Sequence, residues 1–449
     1  MADNRRRLFA ASCVALVANA MAFAVRCDIM GDFAKTFQFT RKTVGEAVGW
    51  GAIGGVAVLF LGGALLDYIG IGTVLWVACA AHVCGLATII CAQGFWSLAI
   101  GWFFLAIATS TVEAAINPLA AALYPERKIH IMNVLHAWWP GGLIIGGLLA
   151  VAVSWLLKHT QASDALVACG WQIKLAAVYL PVLLYALLIF GQEFPKTERA
   201  QAGVPAGVML REALRPLFLI LVFCMFLTAS TELAPNAWVG EFIKDIVGFP
   251  GILVLVYTSG LMFVLRFFAG PLARALSPLG LLVASSVLSG LGLLALSYST
   301  SVAVVFLAAT VFGVGVTYFW PTMLGITAEK FPKGGAFLLG IIGAAGGLFI
   351  SYVSIPGMGA LHDHYMLNSL PPEVAEQVVD KEKSRVDEAK EAALPEAGQK
   401  VVKAARQTAA ANTFRWVALF PAALVLLFGA LAVRERLVRK PEDLPPPAT

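Results

Sequence analysis

Twelve long apolar runs, in two sets of six, govern what this chain can fold into. The first set is Leu8–Met30, Val44–Ile69, Ile71–Cys91, Phe95–Leu123, Met132–Leu157 and Trp171–Gln192. A polar stretch, Glu193–Arg215, follows. The second set is Pro216–Phe242, Pro250–Ala275, Leu279–Tyr298, Val302–Ala328, Gly335–Gly357 and Phe414–Val433. A helix that crosses the hydrocarbon core needs about 20 such residues. Only 13% of the 449 residues are charged and 59% are hydrophobic. Soluble domains carry about 25% charged residues, so a string of soluble domains is excluded, and so is disorder along most of the chain. The seven cysteines sit mostly inside apolar runs without zinc-ligand spacing, which predicts neither a disulfide framework nor a metal site.

Arg5–Arg7 followed by an apolar stretch and Ala18-Asn19-Ala20 has the form of a signal peptide. The apolar run continues past that point to Met30, which predicts a retained first span. Basic residues set the orientation. Arg5–Arg7, Arg127, Lys128, Lys196, Arg199, Arg211, Arg215, Arg274, Lys330, Lys333 and Arg434–Lys440 crowd the connections on the N-terminal side. The short opposite loops hold only Lys35, Arg41, Lys42, Lys158, Lys174 and Lys244. Both termini are therefore expected in the cytoplasm, in a bacterial-type cytoplasmic membrane.

The two sets repeat. Pro118, Glu126 and Arg127 match Pro321, Glu329 and Lys330 at an offset of 203. Gly146-Gly147-Leu148 matches Gly346-Gly347-Leu348 at 200, and the Gly63…Asp67 segment matches Gly270…Arg274 at 207. Six spans per repeat place both repeats in the same sense across the membrane. This resembles the major facilitator fold: an all-α membrane protein of 12 transmembrane helices in two six-helix pseudo-symmetric halves. The expected division is residues 1–192 as one bundle, 193–215 as a cytoplasmic linker, and 216–449 as the second bundle. An extracytoplasmic insertion, 358–412, interrupts the latter. Its balanced charges predict two solvated helices broken at Pro395, with a passive, partly disordered loop favoured over a cap or partner-docking role.

Polar groups inside a bilayer are costly and usually line an interior path. Ser110, Glu113 and Asn117 share one helix face, as do Thr228, Glu232 and Asn236. Asn19 and Arg26 share a face of the first span. Asp28 joins them only if that helix unwinds near its outer end. Tyr318 and Trp320 flank Pro321, and His136 precedes Trp138 at the start of the fifth span. Carboxylates so placed can bind and release protons as their surroundings change, which makes Glu113 and Asp28 the proton-coupling candidates. Asn117, Glu232, Asn236, Arg26, Asn19, His136, Trp138, Tyr318 and Trp320 are the candidate solute contacts. Asp67, Arg266 and Arg274 are the candidate gating residues.

Glu113-Ala-Ala-Ile-Asn117-Pro118 is similar to the Glu-Thr-Ala-Ala-Asn-Pro of the fucose-permease-like branch of the major facilitator superfamily, and Cys27-Asp28-Ile29 resembles its Asn-Asp-Ile. The resemblance implies proton-coupled sugar uptake, with Glu113 and Asp28 in the coupling roles. Arg26 beside Asp28 departs from that branch and suits an anionic solute. Gly63, Asp67 and Gly70 keep part of the superfamily's loop motif without its basic residues. The expected protein is a monomeric secondary transporter, not an enzyme. Its partners are a small polar solute, protons and lipid; no nucleic acid and no cofactor beyond the coupling proton are expected. The alternatives are a proton-coupled exporter and a non-transporting membrane sensor. The absence of a Walker-type phosphate loop argues against an ATP-driven pump.

Overall fold

The computed structural model describes residues 2–39, 43–50, 54–55, 58, 66, 68–160, 163–197, 203–380 and 385–438. Among them, ten helices are long and apolar enough to span a membrane, and a pair bent by 69° makes an eleventh crossing. The Val44–Ile69 run lies largely outside the described residues, as does Asp67. The first half contains α1 (Ala2–Thr36), α2 (Ile71–Ile90), α3 (Phe95–Leu123), α4 (Lys128–His159), α5 (Asp164–Ala168), α6 (Gly170–Ala176) and α7 (Tyr179–Ile189). After α8 (Ala206–Ala213) come α9 (Pro216–Val247), the bent pair α10 (Ile252–Arg266) and α11 (Ala269–Leu276), α12 (Pro278–Ser297), α13 (Val302–Val316) and α14 (Phe319–Lys330). Helix α15 (Gly335–Phe349) runs through a π-turn, Ile350–Ser354, into α16 (Ile355–Asn368).

Close packing sorts these elements into two compact units. One comprises residues 1–222 with 266–270 and 321–345. The other comprises 223–265, 271–320 and 346–449. The six-helix halves follow connectivity and the units follow contact, so segments 266–270 and 321–345 belong to the second half by sequence and to the first unit by packing.

The helix boundaries follow from local chemistry. The Ser97 hydroxyl accepts from the Gly94 N–H at 3.1 Å, which occupies a donor that the start of α3 would leave bare. Tyr124 leaves the helical region and Pro125 opens a single 3₁₀ turn, Pro125–Arg127, before α4. The same device joins α14 to α15. Phe331 has nearly the backbone angles of Tyr124, and Pro332–Gly334 forms the turn.

Glycines bring neighbouring helices into backbone contact, as small residues do where lipid supplies no hydrophobic drive between helices. A Cβ on Gly85 of α2 would stand 2.9 Å from the Leu105 nitrogen of α3. A Cβ on Gly292 of α12 would stand 2.4 Å from the nitrogen and Cα of Phe312 on α13. Gly85 and Leu105 map onto Gly292 and Phe312 by a shift of 207 positions, and Tyr124-Pro125 maps onto Phe331-Pro332 by the same shift. The Pro118/Glu126 match at 203 is therefore one helical turn out of register. Glu126 lies in a 3₁₀ turn, whereas Glu329 lies in the last turn of α14.

Two expectations are corrected. Helix α1 runs unbroken from Ala2 to Thr36, so no unwinding brings Arg26 and Asp28 onto one face. The described residues of the insertion are also folded. Helix α17 (Pro372–Val378), a two-residue antiparallel pair of β1 (Val379–Asp380) with β2 (Arg385–Val386), α18 (Glu388–Ala392) and α19 (Glu396–Val417) follow α16. Met366, Leu370, Val378, Leu394, Val402, Ala405 and Ala409 form a core of their own. Pro395 does mark a break, as the N-cap of α19, which leads into α20 (Leu419–Val438). An Arg406–Glu391 ion pair at 2.6 Å and a bond from Gln407 Nε2 to the Ile246 carbonyl at 3.2 Å tie α19 to α18 and to the end of α9.

Candidate functional site

In the first unit, α1, α3 and α4 bring the polar face of α3 into a hydrogen-bonded cluster. Asn117, on the turn after Glu113, donates from Nδ2 to the Glu113 carbonyl at 2.9 Å and reaches Glu113 Oε2 at 3.4 Å. Its Oδ1 lies 2.8 Å from His136 Nε2 on α4. Asn117 and His136 are buried, and Glu113 is partly so. Asn19 on α1 donates to the Thr109 carbonyl of α3 at 3.2 Å. Its buried Oδ1 has no partner among the described residues, so it is an acceptor still to be satisfied.

Three further bonds join α4 to segments from the second half at the end of the unit where the chain begins. Lys128 Nζ donates to the Ala328 carbonyl at 3.1 Å, and Asn133 Nδ2 donates to Thr322 Oγ1 at 3.1 Å. Arg266 Nη1 donates to the His136 carbonyl at 2.7 Å. All six residues joined by these bonds lie in the first unit. Arg266 is 2% exposed, which rules out a guanidinium that simply reaches solvent. Arg274, by contrast, is exposed.

Arg26 and Asp28 diverge. Asp28 pairs with Lys174 of α6 at 2.5 Å. Arg26 sits over Phe23 at 4.6 Å and near Trp102 at 5.8 Å, and no carboxylate pairs with it among the described residues. Lys174 was counted with the loop charges on sequence grounds, yet it is buried within α6 and lines a cavity of about 770 Å³ with Asp32, Thr36, Lys158 and Trp171. The missed signal was a lysine inside an apolar run. His82 Nδ1 lies 3.1 Å from both the Ala78 carbonyl and Tyr185 Oη, while its buried Nε2 has no partner among the described residues. Trp138 is half-buried on α4, one residue from the Trp139 that meets Phe23 of α1.

The second unit holds the other candidates. Thr228 and Glu232 are buried on α9, and Asn236 is half-buried a turn further on. On the same helix, Ser230 shares a 2.6 Å bond with Ser354, and Trp238 Nε1 donates to the Ile355 carbonyl at 3.0 Å. Both partners lie at the π-turn end, and π-turns are frequent at functional sites. Tyr318 Oη donates to the Leu265 carbonyl at 2.8 Å, just before the break between α10 and α11. Trp320 packs close to Gly346.

The family model described as Major Facilitator Superfamily matches residues 8–357. The chain belongs to the Major Facilitator Superfamily, a family of membrane transporters. No curated protein matches it in sequence. Among solved structures, it is similar to the transporter FucP in the outward conformation, with 17% identity, a TM-score of 0.68, and 93% of this chain and 98% of that one covered. It is also similar to the proton:xylose symporter XylE bound to 6-bromo-6-deoxy-D-glucose, with 13% identity, a TM-score of 0.69, and 96% and 99% covered. The human organic anion transporter MFSD10 matches at 11% identity and a TM-score of 0.66, with 94% and 99% covered. At such identities the likeness establishes the fold.

Proposed function

We propose that this transporter imports a sugar or related small polar metabolite together with protons, by alternating access across a bacterial-type cytoplasmic membrane, with both termini in the cytoplasm. The observation that carries the proposal is the Glu113–Asn117–His136 cluster, a carboxylate inside a spanning helix with one amide donor at its side. A group of this kind can exchange a proton while its surroundings change. Asn19, Asn117, Glu232, Asn236 and Trp320 supply amides, a carboxylate and an aromatic face, which suit hydroxyls and the apolar face of a sugar ring. The E. coli fucose:proton symporter FucP and the proton:xylose symporter XylE share the fold, which supports this reading. Asp28 has a cation of its own in Lys174, so Glu113 is the better candidate for the coupling site.

Arg26 supports a second reading. A half-buried guanidinium without a carboxylate partner among the described residues suits an anionic solute, such as a sugar acid.

The test is reconstitution of the full chain in liposomes with a pH dye inside and a panel of neutral sugars and sugar acids outside. Solute-dependent proton entry that disappears in Glu113→Gln is the expected result. Concentrative uptake at the wild-type rate in Glu113→Gln removes Glu113 from coupling, and acid-dependent expulsion of solute favours export.

A further inference from the structure

We infer that His136 is a positioning residue that joins the proton site to the closure of the transporter at the end where the chain begins. The inference rests on the proposed role of Glu113. The orientation of the Asn117 amide comes first. Its nitrogen faces the Glu113 main-chain carbonyl at 2.9 Å, and a carbonyl can only accept. The amide oxygen must therefore be the atom that faces His136 at 2.8 Å. That oxygen also only accepts, so the proton in that bond belongs to His136 Nε2. His136 thus fixes the Asn117 amide with its N–H edge toward Glu113, the edge that a carboxylate prefers and a protonated carboxyl does not need.

The other end of the same residue holds Arg266. Its Nη1 donates to the His136 main-chain oxygen at 2.7 Å, across 130 positions of sequence. Arg266 is the last residue of α10, next to the 69° bend into α11. Alternating access requires segments at this end to separate from α4, and this bond must then break. Glu113, Asn117, His136 and Arg266 thus form a continuous path from the exchanging proton to a bond that opens. These bonds bring three ionisable groups onto the path: Glu113 from α3, His136 itself and Arg266 from α10. Helix α1 offers the uncharged Asn19 to α3, and α14 offers the uncharged Thr322 to Asn133 on α4.

The experiment needs no identified solute. Spin labels replace Arg127 and Glu329, both exposed, in a full-length background without native cysteines, and their separation is measured in lipid nanodiscs across the pH range. In the wild-type path, the ratio of short to long separations should change about tenfold, the effect of a one-unit difference in proton affinity between the two arrangements. His136→Phe, which cannot donate to Asn117, should keep both separations and lose the pH response. Asn117→Leu cuts the same link without touching residue 136 and should behave alike. His136→Gln keeps a donor and should restore the response. A wild-type-sized response in His136→Phe or Asn117→Leu overturns this inference and leaves the proton role of Glu113 standing. A wild-type path without any pH response, or a response that survives in Glu113→Gln, overturns the Glu113 reading itself.

Discussion

Replacing Gly292 with alanine tests the backbone contact on which the internal register depends. The new Cβ would stand 2.4 Å from the nitrogen and Cα of Phe312 and 2.6 Å from its Cβ. Carbon atoms rest about 3.5 Å apart or more, so α12 and α13 must part by about 1 Å. Overpacking of this kind costs about 1–3 kcal/mol. Alanine regains about 0.5–1 kcal/mol over glycine in a helix interior, which leaves a net loss of about 0.5–2 kcal/mol. Gly85→Ala meets the Leu105 nitrogen and Cδ1 at 2.9 Å, a milder overlap that a flexible leucine partly relieves. Gly147, inside α4, has nothing within 4 Å, so Gly147→Ala keeps only the favourable part. Thermal unfolding of the four purified proteins in one detergent, followed by tryptophan fluorescence, should rank Gly147→Ala above wild type, then Gly85→Ala, then Gly292→Ala. A Gly292→Ala protein as stable as Gly147→Ala would show that α12 and α13 do not touch through their backbones, and the 207-residue register would lose its main support.

Tyr318→Phe removes the hydroxyl that donates to the Leu265 carbonyl beside the helix break, and unfolding should report a loss of about 0.5–1.5 kcal/mol. Lys174→Met should change stability by about 1 kcal/mol or less, because the Asp28 side chain is 37% exposed and water can replace its partner. A large loss would mean that the pair is more enclosed than this. Val402→Asp places a charge in the core of the insertion, where Val402 is fully buried. Trypsin should then cut at Lys390, Lys400 or Lys403, while the spans stay intact.

The spans among the described residues were legible because lipid leaves little choice: a run long enough to cross and free of charge becomes a helix. The Glu113–Asn117 pairing was legible for the same local reason, since i and i+4 share a face. What escaped depends on long-range contact. Nothing near Arg266 in sequence names the carbonyl of residue 136 as its acceptor, and nothing near Asp28 names Lys174. Lys128 looked like one more cytoplasmic charge, yet it is buried against the Ala328 carbonyl. The insertion misled because its charges are dense and balanced. Its core is made of single apolar residues scattered over several short elements, a pattern that no run reveals. The repeat was visible, and the Gly63…Asp67 match already had the 207 register, but the Pro118 and Glu126 match at 203 slipped by one turn.

The corrected register changes how the two halves divide the chemistry. Shifted by 207, Glu113 falls on Trp320 and Asn117 on Leu324. The second half therefore keeps the scaffold of the first, with its glycine contact and its Pro-led 3₁₀ turn, and drops the carboxylate–amide pair from that helix. Its own Glu232 and Asn236 keep the four-residue spacing but stand on α9, beside a π-turn instead of a histidine. A fold with two-fold symmetry could have carried two equivalent proton sites. Here the equivalent position is an aromatic ring next to Gly346, where a side chain would collide with it. A ring so placed offers an apolar face and takes up no proton. On this register the proposed coupling belongs to the first repeat, and the second contributes proposed solute contacts through Glu232, Asn236 and Trp320.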